Sequence, residues 1–406
     1  MNNSIKVVAI NCNKDSGGGK MMMELANYAR YQGFDYITIS PEIVGEMQNE
    51  ICHITITSRL QKAINRELSC ICGNDNIVPF AETKKLIKVL ESIKPNVIHL
   101  HGLHDWYVDY IKLVDYIKSK KISTVWTQHD CWAFTGKCTH YESIKCSKWE
   151  DKCCDCVQLD HFPKSYFFDR TSSMFEKKKK SFTNFQSGTF VAVSRWMQAQ
   201  LEKSFLKNER IVTIENGIDD TIFYPREGNI FIRENITNRK VLLGVAANWS
   251  EKKGFNDFIA LRKKLNHEFD VILIGTDDRI AEICRENRII PLPRISNKDV
   301  LAEYYSSCTI FLNLSKEETF GLVTAEAMAC GTSVIGYDTT GTRELLKESE
   351  NILVPVGDIV ALENAIYTIM KNDIEKISMN NANRIKELYS SQKQYEKYLN
   401  LYRSIV

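Results

Sequence analysis

Short, continuous apolar runs rich in β-branched residues alternate along this chain with stretches whose apolar positions recur at helical spacing. The first run, Ile5–Asn11 (IKVVAIN), is apolar throughout, the form of a parallel strand buried on both faces. Ser16-Gly17-Gly18-Gly19 follows as a loop, a helix is predicted over Lys20–Arg30, and Gly33 ends the unit. Further strands are predicted at Phe34–Ser40, Cys52–Thr57, Pro95–Leu100, Ile122–Thr127, Thr189–Ser194 and Ile211–Ile214. Helices are predicted at Glu82–Ser92, Ser165–Phe185 and Arg195–Phe205.

The alternation is interrupted once. Asn216-Gly217-Ile218-Asp219, Phe223-Tyr224-Pro225 and the polar stretch Arg226–Arg239 mark a boundary near residues 220/221. It then restarts with strands at Val241–Ala246, Asp270–Ile274, Ile289–Ile290, Thr309–Leu314 and Ser333–Tyr337. Helices at Gly254–Leu265, Asp278–Arg285, Lys298–Ser306 and Leu322–Ala329, and others from Thr342 and Ala361, lie between and after them. Strands alternating with helices at this spacing predict an α/β chain with a parallel sheet in each half.

Composition changes this picture little. The 406 residues carry a net charge of +2, so no overall field points to nucleic acid. No apolar run approaches the ~18 residues of a membrane span, and no signal-peptide pattern precedes Ile5. A cytoplasmic protein is expected. The 13 cysteines do stand out, because six lie between Cys131 and Cys156. Within that segment Cys138-x7-Cys146-x6-Cys153-x2-Cys156 could surround a structural zinc ion, with Cys131, Cys154 and His140 as substitutes. The bland alternative is a set of reduced thiols acting as small apolar residues.

The candidate chemistry centres on Ser315–Gly331 (SKEETFGLVTAEAMACG), a loop between a buried strand and a helix N-terminus. Such a terminus attracts anions. Glu318 and Glu326, with seven residues between them, are poor phosphate ligands but good acceptors for sugar hydroxyls. A ligand with both phosphates and hydroxyls, such as a nucleotide-sugar, satisfies both features. Lys252-Lys253-Gly254, at the end of the second half's first strand, could bind a diphosphate; Gly341 and Glu344 open a helix that could close the same site. The Gly17–Gly19 loop lacks the residues of a P-loop and of a dinucleotide fingerprint, which disfavours ATP hydrolysis and NAD chemistry. His129, beside Asp130, falls at a strand's carboxyl tip, where open α/β sheets bind ligands. Lys177–Lys180 reads as a solvated face or, with Phe175 and Phe182, as a contact for anionic lipid.

Together these residues resemble glycosyltransferase family 4, retaining enzymes of the GT-B fold. The similarity runs through the Gly17–Gly19 loop, Thr127–Asp130, Val193-Ser194, Asn216–Asp219, Lys253-Gly254 and the E-x7-E pair Glu318/Glu326. The HDCWAFTGKC start and C-x-x-C end of the cysteine segment resemble colanic-acid-type exopolysaccharide transferases. The resemblance implies two Rossmann-like doubly wound domains facing across a cleft: an acceptor domain over 1–220, with the 131–163 insertion, and a nucleotide-sugar domain over 221–385. A C-terminal helix over 386–406 would cross back to the first domain. It implies transfer of a hexose from a nucleoside diphosphate sugar donor to a saccharide acceptor, a lipid-linked one in this subgroup, with no cofactor needed for catalysis.

The implied roles are these. Glu326 accepts hydrogen bonds from the donor ribose, and Glu318 holds the transferred sugar. Lys253, the amides of Phe320, Gly321 and Leu322, and Gly18 or Gly19 bind the diphosphate. His129 lies near the reacting carbon. One position departs from the pattern: Asn248 stands where the family commonly has arginine, with Lys252 as a stand-in. That departure keeps a non-catalytic nucleotide-sugar-binding protein open as an alternative, beside a nucleotide-sugar epimerase.

Overall fold

A computed structural model describes residues 4–41, 53–78 and 80–406. Cys52 of the expected Cys52–Thr57 strand lies outside the described residues. The chain divides into two compact units, Met1–Ile214 with Tyr395–Val406, and Glu215–Gln394. The division falls at Ile214 and Tyr395 rather than at 220 and 386. Ile218 bridges to Ser390, Ser391 N–H donates to Ile218 O at 2.9 Å, and Gln394 donates to Asn216 Oδ1 at 3.2 Å. These bonds hold the turn-rich stretch and the start of the last helix within the second unit.

The first unit runs β1 (Lys6–Ile10), α1 (Gly17–Tyr31), β2 (Asp35–Ser40), β3 (His53–Thr55), α2 (Arg59–Cys72), α3 (Phe80–Ile93), β4 (Val97–Leu100), α4 (Tyr110–Ser119), β5 (Ser123–Gln128), α5 (Thr171–Phe182), β6 (Gly188–Ala192), α6 (Arg195–Lys203) and β7 (Ile211–Thr213). Its seven strands are parallel in the order β3-β2-β1-β4-β5-β6-β7. Alternate residues of β1 serve opposite layers. Val8 and Ile10 join a core with α4 residues, and Val7 and Ala9 join one with α1 residues Met22, Leu25 and Ala26. Tyr395, Tyr398, Leu399 and Tyr402 of α15 (Ser391–Ile405) complete that second layer.

Two features differ from the sequence expectation. The glycines after Ser16 are not a loop but the first turn of α1, because the Ser16 hydroxyl caps Gly19 N–H at 3.1 Å. α5 begins at Thr171 rather than Ser165, because Tyr166 N–H pairs with Cys70 O and Asp169 accepts from Thr171 N–H at 2.9 Å.

The second unit runs α7 (Ile230–Arg233), β8 (Lys240–Val245), α8 (Phe255–Lys264), β9 (Phe269–Ile274), α9 (Asp278–Glu286), β10 (Ile290–Leu292), α10 (Lys298–Ser307), β11 (Ile310–Asn313), α11 (Leu322–Ala329), β12 (Ser333–Tyr337), α12 (Thr340–Leu346), β13 (Ile352–Val354), α13 (Ile359–Ile369) and α14 (Ile374–Leu388). Its six parallel strands are ordered β10-β9-β8-β11-β12-β13. In both sheets the order reverses at the first strand, between β1 and β4 and between β8 and β11. Beyond the carboxyl ends of such strands lies the usual ligand crevice of a doubly wound sheet. Among the described residues no helix is long and apolar enough to cross a membrane.

Candidate active site

In the second unit the switch point is built by the loops after β8 and β11. β11 ends in Asn313, whose buried amide donates to Thr324 Oγ1 of α11 at 2.6 Å and to Thr342 Oγ1 of α12 at 3.2 Å. One side chain thus sets the strand end against two helix starts. The loop that follows is pinned by its backbone. Glu318 N–H donates to Thr340 Oγ1 at 2.8 Å, and Gly341 N–H donates to Glu318 O at 2.9 Å. A Cβ on Gly341 would meet the Phe320 backbone at 2.7 Å, so only glycine allows this approach. Gly321 opens α11 at φ +98° with no side chain capping the helix.

The loop after β8 is clamped to it by charge. Lys253 Nζ lies 2.6 Å from Glu318 Oε1 and Lys252 Nζ lies 2.8 Å from Glu317 Oε1, while Lys316 pairs with Glu251. Glu317 is nearly buried, and Lys252, the stand-in for the missing arginine, pairs with it as Lys253 pairs with Glu318. Asn248 is exposed and brings no charge. Its neighbour Trp249 is buried, with the indole N–H on Ile274 O at 3.1 Å. Inside α11, Glu326 Oε2 accepts from the Tyr305 hydroxyl at 3.0 Å. Burial, with Glu326 beside it, pushes the Tyr305 phenol far up, so it remains a donor. The Lys253-Glu318 pair, the start of α11 over Phe320, Gly321 and Leu322, and Glu326 therefore share one loop-and-helix corner. Tyr305, Asn313 and Thr340 organise it and were not read from the sequence. Glu344 lies one turn into α12.

In the first unit the corresponding face holds a histidine cluster. His129, just past β5, stacks on His101, just past β4, with ring centroids 5.3 Å apart and planes 9° apart. His101 Nδ1 and His129 Nε2 are 3.0 Å apart. Burial holds His129 down to about 4 and His101 well below its ordinary value. Both are neutral near pH 7, and one nitrogen donates to the other. His104 is the opposite case. Burial disfavours its charge, but Cys12 and Asp130 outweigh that and raise it well above 6.5. Asp130, 3.0 Å away, is held at about 2 by His104 in spite of its burial. Gly18 fits under His129: a Cβ there would meet the ring at 2.7 Å. A Cβ on Gly19 would meet Asn13 O at 1.9 Å. His101, His104, His129 and Asp130, with Asn11 and Gly18, line a cavity of about 170 Å³. The buried His101 Nε2 has no hydrogen-bond partner among the described residues.

The lysine run is not what the sequence suggested. Phe175 and Phe182 are buried, and Lys178 is buried with its ammonium over the Trp132 ring at 3.7 Å. Only Lys177, Lys179 and Lys180 face solvent, so neither a fully solvated run nor a lipid contact through Phe175 and Phe182 holds. The four candidate zinc cysteines, Cys138, Cys146, Cys153 and Cys156, line one cavity of about 300 Å³. Cys131 lies apart from it in the core.

A doubly wound sheet with a helix start, a lysine and two carboxylates at its switch point suits a ligand that carries both phosphates and hydroxyls. The family profiles agree. The chain belongs to glycosyltransferase family 4, whose profile matches residues 16–222, and residues 227–387 match glycosyl transferases group 1. It is a sugar transferase with the GT-B fold. Over 361 residues it is 23% identical to the putative colanic acid biosynthesis glycosyl transferase WcaC of Escherichia coli, covering 86% of each chain. Over 231 residues it is 27% identical to N-acetyl-alpha-D-glucosaminyl L-malate synthase of Bacillus anthracis, covering 54% of this chain and 59% of that one. The match thus spans about three fifths of that relative. Sucrose-phosphate synthase from Thermosynechococcus elongatus shares the fold, with a TM-score of 0.73 at 17% identity over 99% of both chains.

Proposed function

We propose that this chain transfers a hexose from a nucleoside diphosphate sugar to a hydroxyl of a saccharide acceptor in the assembly of a surface or extracellular polysaccharide, retaining the anomeric configuration. The observation that carries the reading is the corner where Lys253, Glu318, Glu326 and the start of α11 meet. Lys253 and the amides of Phe320, Gly321 and Leu322 take the diphosphate. Glu326, oriented by Tyr305, takes ribose hydroxyls, and Glu318 takes hydroxyls of the hexose. Charge develops on the leaving diphosphate as the glycosidic bond breaks. Fixed amides, and Lys253 once it turns from Glu318 to the phosphate, stabilise it, so the step needs no metal. In the first unit, neutral His129 lies at the carboxyl face of its own sheet, with Gly18 packed under its ring.

Thermal stabilisation by UDP-, GDP-, ADP- and dTDP-sugars, in wild type and Glu326→Ala, tests the donor site. The expected result is a rise in Tm with one nucleotide class that the variant loses. A shift that survives in Glu326→Ala removes the ribose assignment. NMR of the product reads the anomeric configuration, and inversion overturns that part of the proposal.

The acceptor we propose is lipid-linked, met at a membrane surface by α2 and the 166–168 turn. Leu60, Ile64, Leu68 and Ile71 are exposed along one side of α2, and Tyr166, Phe167 and Phe168 are exposed beside it. This face replaces Lys177–Lys180 as the peripheral contact.

A further inference from the structure

We propose that Cys138, Cys146, Cys153 and Cys156 hold a structural zinc ion that cross-links the 131–163 segment. The segment has little regular structure beyond three short 3-10 turns, Trp132–Phe134, Glu142–Ile144 and Lys148–Glu150. Its first part is anchored, because Trp132, Phe134, Tyr141 and Trp149 enter the main core. Its second part reaches that core only through the partly buried Cys153. Residues 150–157 are mostly exposed, and polar contacts hold them: Lys148 Nζ donates to Cys154 O and Asp155 O at 3.0 Å, and Cys156 N–H donates to Asp169 Oδ2 at 2.7 Å. Cys138 and Cys146 belong to the first part, and Cys153 and Cys156 to the second, more exposed one. A metal shared among them joins the two.

The geometry and charge around the thiols suit this ion. All four thiols line the same cavity. Cys138 Sγ and Cys156 Sγ are 4.0 Å apart. A tetrahedral site with Zn–S bonds of about 2.3 Å has edges of about 3.8 Å, so this pair already spans one edge. Among the described residues no three His, Cys, Asp or Glu side chains are already placed to hold a metal ion, so Cys146 and Cys153 must move toward that edge on binding. Gly136 N–H donates to Cys153 Sγ at 3.1 Å and Gln158 Nε2–H to Cys138 Sγ at 3.6 Å, contacts that favour thiolates. Binding releases the thiol protons to solvent and leaves a Zn(Cys)4 group of charge about −2. Two buried ammonium groups are placed to balance it. Lys137 is adjacent to Cys138, and Lys178 acts electrostatically on Cys138 and Cys153. Lys137 Nζ otherwise meets the carbonyls of Gln158, Leu159 and His161, and Lys178 meets those of Trp132 and Thr135, with Asp75 3.8 Å away.

Elemental analysis of the whole protein, purified without added zinc and dialysed against a weak chelator, tests the site. An equimolar zinc content is expected, lost in Cys138→Ser and Cys156→Ser and kept in Cys131→Ser. Substoichiometric zinc in the wild type overturns the proposal, as does full retention in the Cys138→Ser/Cys156→Ser double variant. If those variants fail to fold, cobalt exchanged into the wild type gives the answer. Intense thiolate-to-cobalt absorption supports the site, and a weak octahedral spectrum overturns it. A thiol titration of metal-free native protein that finds Cys138 and Cys156 already joined as a disulfide also overturns it.

Discussion

Lys253 Nζ and Glu318 Oε1 are 2.6 Å apart, so the lysine assigned to phosphate is held by the carboxylate assigned to sugar. Both side chains remain partly open to solvent, at 36% and 16%. A half-exposed pair of this kind contributes only ~0–1 kcal/mol to folding. Its worth lies in aim: each group fixes the other until a donor supplies a phosphate and a hydroxyl. Glu318→Ala and Lys253→Ala should therefore each lower kcat about 100-fold or more while leaving thermal unfolding within a few degrees of wild type. Steady-state kinetics beside calorimetry check this. Near-normal turnover in Glu318→Ala counts against its role.

Tyr305 and Glu326 make the second test. Removing the hydroxyl takes away one hydrogen bond that orients the carboxylate. Tyr305→Phe should weaken donor binding roughly 2- to 10-fold, the worth of about 0.5–1.5 kcal/mol for one hydrogen bond. Isothermal titration with the donor identified by the thermal panel measures it. Unchanged affinity would mean that Tyr305 merely packs.

Much of this site was legible in the sequence because it is local. Glu318, Glu326 and the α11 limits Leu322–Ala329 follow from one short motif, and α11 lies where the pattern puts it. The partners were illegible because they arrive through the sheet. His101 meets His129 only because β4 and β5 are neighbours, and Tyr305 meets Glu326 only because α10 and α11 pack together. The glycines after Ser16 read as a flexible loop because their composition suggests one. A Ser N-cap and the close approach of His129 and Asn13 make them a helix start instead. Lys178 read as part of a charge run, since burying it depends on Trp132 and two carbonyls far away in the chain. The sequence pattern gives no sharp signal for α2 or α4. α2 leaves its apolar positions exposed, and α4 follows a loop rich in aromatic residues.

Gly18→Ala adds a methyl group at 2.7 Å from the His129 ring. The ring can tilt, so the cost should be about 1–3 kcal/mol, with a clear loss of kcat as His129 leaves its stack on His101. Gly19→Ala meets backbone at 1.9 Å, which cannot tilt away, and should fail to yield folded protein. Expression and melting of the two variants check the contrast.

The histidine cluster fixes how stability responds to acid. His129 has its pKa lowered from 6.5 to about 4, and His101 and buried His99 of β4, whose ring centroid is 4.0 Å from that of His101, are lowered in the same direction. In the unfolded chain all three titrate near 6.5. Below that pH the unfolded state takes up protons that the folded state refuses, so stability present above about pH 6.5 is lost as pH falls. Each refused proton costs about 1.4 kcal/mol per pH unit. His104, raised by its partners, has the opposite sign: its contribution is complete below about 6.5 and is lost only as pH rises through its folded value. Asp130 begins to lose its contribution below about 3.8 and has lost it by about 2. Tm should fall between pH 7 and pH 5, and a flat profile would show the cluster to be solvated.

The membrane-facing proposal separates two physical sources of binding. If Lys177, Lys179 and Lys180 were the contact, attraction to anionic vesicles would be electrostatic and would vanish at high salt, where the Debye length shrinks to ~3 Å. If the α2 stripe and the 166–168 turn are the contact, apolar burial dominates and part of the binding survives salt. Ile64→Asp and Phe167→Asp remove apolar groups that are 44% and 72% exposed, so neither should disturb the core. Each should reduce flotation with phosphatidylglycerol vesicles in high salt, and the pair should nearly abolish it. Flotation that is lost in salt but indifferent to both substitutions returns the contact to the lysines.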